Sequence, residues 1–234
     1  MNESLEDGKP GDRDFFEWDV ATWRQAIPFW SSALPGAVEG LEVLEIGARN
    51  GGLSLYFASR GCRVVCSDLG DARASARELH RRFGVDERVS YRRVDATRID
   101  FPDNSFDLAV FKSVLGGVGG KERKDRQLQA VRELHRVLKP GGKLLYAENL
   151  QGSSLHMFLR RRFVPWGAAW RYVSFDEMRE FLKPFKASRH RAFGFFSAFG
   201  RTEAQKSLMH RVDRLCAPFI PDSSKYVLVG CAEK

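Results

Sequence analysis

Cysteine is scarce in this chain: four residues in 234 (Cys62, Cys66, Cys216 and Cys231), with no metal-site spacing. Cys62 and Cys66 lie in or beside one apolar run, so the expectation is reduced core thiols. A disulfide-stapled scaffold is thereby excluded, and no metal site is expected. Long apolar runs are missing too, and none approaches the ~20 residues that a membrane-spanning helix needs. The opening stretch, Met-Asn-Glu-Ser-Leu-Glu-Asp-Gly-Lys-Pro-Gly-Asp, has neither the basic nor the apolar part of a secretory signal, which points to a cytoplasmic protein. Internal repeats and low-complexity tracts are absent. Acidic residues become scarce only late in the chain. Residues 1–152 hold 23 Lys/Arg and 23 Asp/Glu, whereas residues 153–234 hold 15 against 7, so the last third carries the whole net charge of +8. A balanced first part joined to a basic second part suggests that an anionic partner meets the latter.

What is present begins with Val43-Leu-Glu-Ile-Gly-Ala-Arg-Asn-Gly-Gly52, an apolar strand running into a glycine-rich turn and then a helix. Gly47 and Gly51 let the chain turn sharply and let a ligand approach bare backbone. Glu45, two residues before Gly47, would repel a pyrophosphate, which argues against a nicotinamide dehydrogenase. The same carboxylate would attract a cationic group such as the amino-acid end of S-adenosylmethionine.

Beyond the turn, strand-like and helix-like segments alternate. Strands are predicted at 41–46, 62–67, 89–94, 106–111 and 143–148, with helices at 51–60, 72–83 and 124–138. The last of these stops at Lys139-Pro140-Gly141-Gly142. Such alternation implies a parallel, doubly wound sheet. Residues 1–13 read as a disordered tail, and residues 14–40 as a pair of short aromatic helices or a cover over the site. Residues 41–150 form the ligand-binding core. Residues 151–173 form a long basic and aromatic connection, followed by a capped helix from Ser174 to about Pro184 and a strand at 186–193. A helix at 203–216 and a closing strand at 226–231 complete the chain, and residues 151–173 and 194–222 are insertions on the substrate side.

In a doubly wound sheet the ligand crevice lies at the carboxyl ends of the strands. The first strand end supplies Glu45, Gly47, Ala48, Arg49 and Gly51. The second supplies Asp68 with Leu69, at the spacing where a carboxylate accepts from ribose hydroxyls. The third is followed by Asp95 and Ala96, able to read an adenine edge. The fourth gives Lys112, and the fifth Glu148-Asn149.

Val43–Gly51, Ser67–Asp68, Val94–Ala96, Phe106–Phe111 and Leu134–Tyr146 together resemble the motif series of class I S-adenosylmethionine-dependent methyltransferases of the type 11 group. The resemblance spans roughly residues 40–150. It implies a Rossmann-like, doubly wound, mostly parallel seven-stranded α/β sheet with the last strand antiparallel and helices on both faces. It implies S-adenosylmethionine as cofactor, with the turn at Glu45, Gly47 and Gly51 on the methionine moiety, Asp68 on the ribose and Asp95 with Ala96 on the adenine. Arg49 stands where the family has its middle glycine. Ordinary φ/ψ are expected there, with the guanidinium pointing outward or toward the methionine carboxylate.

Methyl transfer aligns donor and nucleophile and, for a hydroxyl acceptor, removes a proton. His156 and Lys112 are the catalytic candidates, Lys112 doubling as a cofactor contact. His80 and His135 read as scaffold. Arg160, Arg161, Trp166 and Arg171 are candidates for an anion clamp or sugar platform, or for a contact with anionic lipid. These readings favour O-methylation of a small anionic acceptor, such as a sugar or a nucleotide- or lipid-linked saccharide. The alternatives are an RNA methyltransferase and a non-catalytic S-adenosylmethionine-binding partner protein. Against RNA stand the lack of an appended RNA-binding module, of an Asn-Pro-Pro-Tyr-like tetrapeptide and of a Pro-Cys nucleophile motif.

Overall fold

A computed structural model describes residues 8–34, 36–164 and 169–234. In chain order the elements are α1 (Asp12–Phe16), α2 (Val20–Trp23), α3 (Ala26–Ala33), β1 (Glu42–Ile46), α4 (Gly52–Ala58), β2 (Arg63–Asp68), α5 (Ala72–Arg82), β3 (Val89–Arg93), β4 (Phe106–Lys112), α6 (Leu115–Val118), α7 (Lys124–Val137), β5 (Leu138–Asn149), α8 (Ser154–Phe163), α9 (Phe175–Phe181), β6 (Ala187–Phe193), α10 (Glu203–Cys216) and β7 (Val227–Glu233).

Strand residues alternate between two cores because successive side chains point to opposite faces. Val43, Val64, Cys66, Val110 and Val229 meet α1 to α5 on one face. Leu44, Ile46, Ala109, Phe111, Tyr146 and Leu228 meet α7 and α9 on the other. The long helices are amphipathic at the matching period. In α7 the buried positions are Gln127, Ala130, Val131, Leu134 and Val137, one stripe at helical spacing. In α5 they are Ala72, Ala76 and His80, and the Asp71 carboxylate caps the start by accepting from the N–H groups of Arg73 and Ala74.

The strands form one seven-stranded sheet in the order β3-β2-β1-β4-β5-β7-β6. The first five pair in parallel, and β7 runs antiparallel to both β5 and β6. The fold is therefore the Rossmann-like, doubly wound sheet that the motifs imply. Strand order reverses between β1 and β4, and there the crevice of such a sheet opens. Ile46 is in register with Phe111, so Gly47 and Lys112 leave the sheet side by side.

Four local expectations change. Asp12 and Arg13, assigned to a disordered tail, lie in the first turn of α1, whose Phe15 and Phe16 are buried against the core and anchor it. The aromatic segment folds as three short helices, with Trp23 and Trp30 buried. Lys139–Gly142 is not a coil after a helix stop. The chain passes from α7 straight into a twelve-residue β5, because Leu138 pairs with Phe106 across a register irregularity. Finally, the basic connection after residue 149 contains α8, started by Ser153 as N-cap.

Candidate active site

The glycine turn is held from two sides and by one bond of its own. Ala48 N–H donates to Ser67 O at 2.9 Å, and Gly51 N–H donates to Ala48 O at 2.7 Å. On the α5 side, Tyr91 Oη donates to His80 Nδ1 (2.8 Å), and Nε2 of the buried His80 then donates to Gly51 O (2.9 Å). Burial lowers the His80 pKa, keeping the ring neutral as that pairing requires. Gly47 and Gly51 have φ of +67° and +76°. A Cβ at Gly47 would stand 2.5 Å from Val114 Cγ2, and one at Gly51 would stand 2.6 Å from Ala76 Cβ. Close packing as well as ligand approach therefore demands glycine at both positions.

Arg49 departs from expectation. Its φ is +52°, left-handed rather than ordinary, a conformation costing an arginine on the order of 1–2 kcal/mol. Long-range partners hold it there: Arg49 N–H donates to Asp68 Oδ2 (2.9 Å), and Ser75 Oγ donates to Arg49 O. Its guanidinium pairs with Glu17 (3.4 Å) and lies 4.7 Å from the Trp18 ring centroid.

Glu45 also differs. As a strand residue of the same parity as Val43 it points into the α4 side of the sheet, 3% exposed, and Oε2 accepts from Ser54 N–H and Oγ. Burial pushes its carboxyl up to about 7, against the pull of the Ser54 hydrogen bonds and of Lys112. Through Oε2 it ties β1 to α4.

Asp68, at the end of β2, is half-buried and keeps accessible lone pairs. Besides Arg49, it accepts from Gly70 N–H at 3.2 Å. Leu69 beside it is 60% exposed and borders a cavity of about 550 Å³ that also touches Gly70, Ala72, Tyr91 and Arg93. Asp95 starts a turn: Oδ1 accepts from the N–H and hydroxyl of Thr97, both at 2.8 Å, and Oδ2 lies 3.4 Å from Arg126. Partial burial works to raise its pKa, but the Thr97 hydrogen bonds and the Arg126 charge outweigh it and hold the carboxyl low. Ala96 beside it is buried.

Lys112 ends β4 beneath the α1–α2 connection. Its ammonium donates to Phe16 O at 2.8 Å and stands 3.5 Å from the Trp18 ring centroid. Trp18 therefore touches two cations, Lys112 and Arg49, and its neighbours Glu17 and Asp19 both have left-handed φ, +62° and +47°. Two strained residues flanking one ring mark a backbone bent to present it. Glu203 of α10 fastens the far end of this strap by accepting from Asp19 N–H (2.7 Å) and Val20 N–H (3.1 Å). Burial drives the Lys112 pKa down to about 7, although Glu17 and Glu45 pull it upward. Among the expected site residues, the structure brings together the turn, Asp68 and Lys112. Trp18 and Glu17 join them from the segment expected to be helices or a cover over the site, and His80 joins as scaffold bracing the turn.

His156 does not lie there. It is 1% exposed, at the third position of α8, where Nδ1 accepts from Ser153 N–H (3.1 Å) and Nε2 donates to Phe195 O (2.9 Å). Its ring stacks on Phe199 at 4.9 Å. With both nitrogens engaged and no exposed edge, it cannot serve as a base. Replacing His156 with alanine should leave a cavity and an unpaired Phe195 carbonyl, costing about 2–4 kcal/mol of stability. Thermal unfolding reads that loss, and a slowed turnover with no loss of stability would sink this account.

The expected arginine clamp is also dispersed. Arg160 donates to Leu150 O (2.6 Å) and lies over Tyr172, and Arg171 is fixed by Glu177 (2.6 Å) and Gln127. Arg161 faces solvent, and Trp166 lies outside the described residues. Glu148, buried at the end of β5, accepts from the N–H groups of Val114 and Leu115 and so caps α6.

The residues present fit S-adenosylmethionine. A half-exposed carboxylate at the second strand end, the exposed Leu69 beside it and a sharp backbone turn at the switch point offer a ribose acceptor, an apolar face for a base and bare backbone for the amino-acid end.

Comparison with known proteins agrees. Residues 44–146 match the family model described as a methyltransferase domain. The ubiquinone/menaquinone biosynthesis C-methyltransferase UbiE of Enterobacter sp. (strain 638) is 36% identical over 117 residues, covering 48% of this chain and 44% of that protein. The chain thus spans less than half the length of that relative. An S-adenosylmethionine-dependent methyltransferase from Mesorhizobium loti has the same fold, with TM-score 0.61 and 19% identity over 92% of this chain and 98% of the other. The [4+2]-cyclase SpnF superposes equally well, with TM-score 0.61 and 18% identity over 97% of this chain and 84% of the other, so the fold alone does not set the reaction. Fold and site together define a class I methyltransferase. More narrowly, residues 44–146 carry a methyltransferase domain, and the site's residues fit S-adenosylmethionine as its methyl donor.

Proposed function

We propose that this chain methylates a small acceptor bearing an ionisable hydroxyl group, with Lys112 as the base that takes the hydroxyl proton. One observation carries the reading: Lys112 sits beside the glycine turn at the switch point, under Trp18, with its pKa lowered to about 7. Bound S-adenosylmethionine supplies a sulfonium-activated methyl group whose departing C–S electron pair stays on sulfur. The acceptor proton goes to neutral Lys112 Nζ while the acceptor forms the new bond to the methyl carbon. Trp18 and Phe16 cover that amine and keep bulk water from it.

The sequence suggests a small anionic acceptor, such as a saccharide, met by Arg160, Arg161, Trp166 and Arg171. Arg160 and Arg171 are engaged by the scaffold, which weakens the support for such a clamp. A phenolic or enolic hydroxyl suits the aromatic surroundings of Lys112 better. O-methylation follows directly from deprotonation. C-methylation at the neighbouring carbon is a second reading, favoured by the likeness to a UbiE C-methyltransferase, since the same proton loss makes that carbon nucleophilic.

Incubation with methyl-labelled S-adenosylmethionine and a panel of phenols, enols, sugars and RNA separates these readings. Label should enter phenolic or enolic acceptors, and product NMR then assigns oxygen or carbon. Transfer confined to sugars or to RNA would overturn the proposal, as would no transfer to any acceptor despite donor binding.

A further inference from the structure

Eight large apolar side chains are strongly exposed among the described residues, and seven lie on α8, on α10 or in the turn after α10: Leu155, Phe158, Phe163, Leu208, Val212, Leu215 and Phe219. The eighth is Leu69, at the cofactor site. Exposure is extreme at the far end of α10, 78% for Leu215 and 85% for Phe219. Along α10 the spacing 208, 212, 215 places these side chains in one stripe, with Phe219 in the turn just beyond, and soluble surfaces rarely leave such a stripe bare without use.

The charges on these helices are one-sided. Helix α8 contains Arg160, Arg161 and Arg162 and no acidic residue, and Arg161 and Arg162 are exposed. Helix α10 exposes Arg211 and Arg214 beside its apolar stripe. Its two acidic side chains are turned away. Glu203 accepts from the N–H groups of Asp19 and Val20. Asp213, 5% exposed, accepts from the N–H groups of Phe195, Phe196 and Ser197. Among the described residues, α8 and α10 therefore carry no free acidic side chain, and Asp222 beyond Phe219 is paired with Lys225. Both helices are fastened to the same segment, Phe195–Phe199, α8 through His156 and α10 through Asp213.

We infer that α8 and α10 form an interfacial surface that docks on an anionic lipid bilayer. Apolar side chains enter the headgroup boundary while the arginines meet lipid phosphates. No helix among the described residues is long and apolar enough to cross a membrane, so the contact lies along the surface. A second copy of the chain fits less well, because a two-fold contact brings together two copies of the same positively charged surface. Nucleic acid would be met by the arginines but gains nothing from Leu208, Val212 and Leu215. The inference does not depend on which acceptor is methylated.

Flotation of the whole chain with phosphatidylcholine vesicles, with and without about 30% phosphatidylglycerol, tests it. Partition should rise at least about tenfold with the anionic lipid and fall as salt rises. The double variant Leu215→Ser/Phe219→Ser and the double variant Arg211→Gln/Arg214→Gln should each lower partition about tenfold or more. All the replaced side chains are exposed, so the unfolding temperature and S-adenosylhomocysteine affinity should stay as in the parent. Absence of binding to anionic vesicles would overturn the inference. So would binding unaffected by the Leu215→Ser/Phe219→Ser change, or variants that alter only self-association or RNA binding.

Discussion

Replacing Lys112 with methionine should lower turnover by roughly a thousandfold, within the 10² to 10⁴ that a positioned general base contributes. Methionine matches the length of the lysine stem and suits the packing against Phe16 and Trp18, so the fold should persist. It also removes a buried amine, which relieves desolvation. Lys112→Arg makes the complementary case, since a guanidinium keeps its proton at any working pH. Both variants should turn over roughly a thousandfold more slowly while S-adenosylhomocysteine affinity changes by less than about threefold. A loss of that affinity instead would move Lys112 from base to donor contact.

The pH profile gives a second readout with a defined sign. A base acts in its deprotonated form, and burial sets the Lys112 pKa at about 7. For an acceptor hydroxyl that ionises well above neutrality, the parent rate should climb with pH and level off above about 7. The stability sign is also set. Because the folded-state pKa lies below the ordinary lysine value, the unfolded chain binds the extra proton between about 7 and 10.5, and stability gains from this group as pH rises through that window. A Lys112→Met variant should lose both dependences. Undiminished turnover in this variant would end the base assignment.

Much of this site was legible in sequence because the information is local. The β1 turn, the carboxylate after β2 and the basic residue ending β4 each follow from a strand and what terminates it. Glu45 was legible too, for its parity with Val43 assigns it to the covered face, yet the chemistry of the turn drew it toward the ligand. The Ser153-x-x-His156 spacing carries a capping position, but α8 leaves Leu155, Phe158 and Phe163 exposed and so lacks the core-facing stripe that reveals a helix. Other features rest on contacts no local pattern carries. Arg49 adopts a left-handed conformation because Asp68 and Ser75, 19 and 26 residues away, bind its backbone. Lys112 meets the Phe16 carbonyl across 96 residues of chain, so its depressed pKa appears only once α1 is docked.

Asp68→Ala should weaken S-adenosylmethionine and S-adenosylhomocysteine binding by a hundredfold or more. Hydrogen bonds to a charged group contribute about 1.5–3 kcal/mol each, and a ribose offers two hydroxyls to this carboxylate. Asp68→Asn retains one acceptor oxygen and should cost about tenfold. The same carboxylate also accepts from Arg49 N–H, so alanine loosens the glycine turn as well as removing the ribose acceptor. The two contributions separate in an Arg49→Gly background, where the left-handed backbone is relaxed and no longer needs that support. If Asp68 acts on the ribose, its replacement by alanine should cost nearly the same affinity in both backgrounds, as measured by calorimetry. If it acts only by bracing Arg49, most of the loss should vanish in the glycine background. Unchanged affinity in both would remove Asp68 from the donor site altogether.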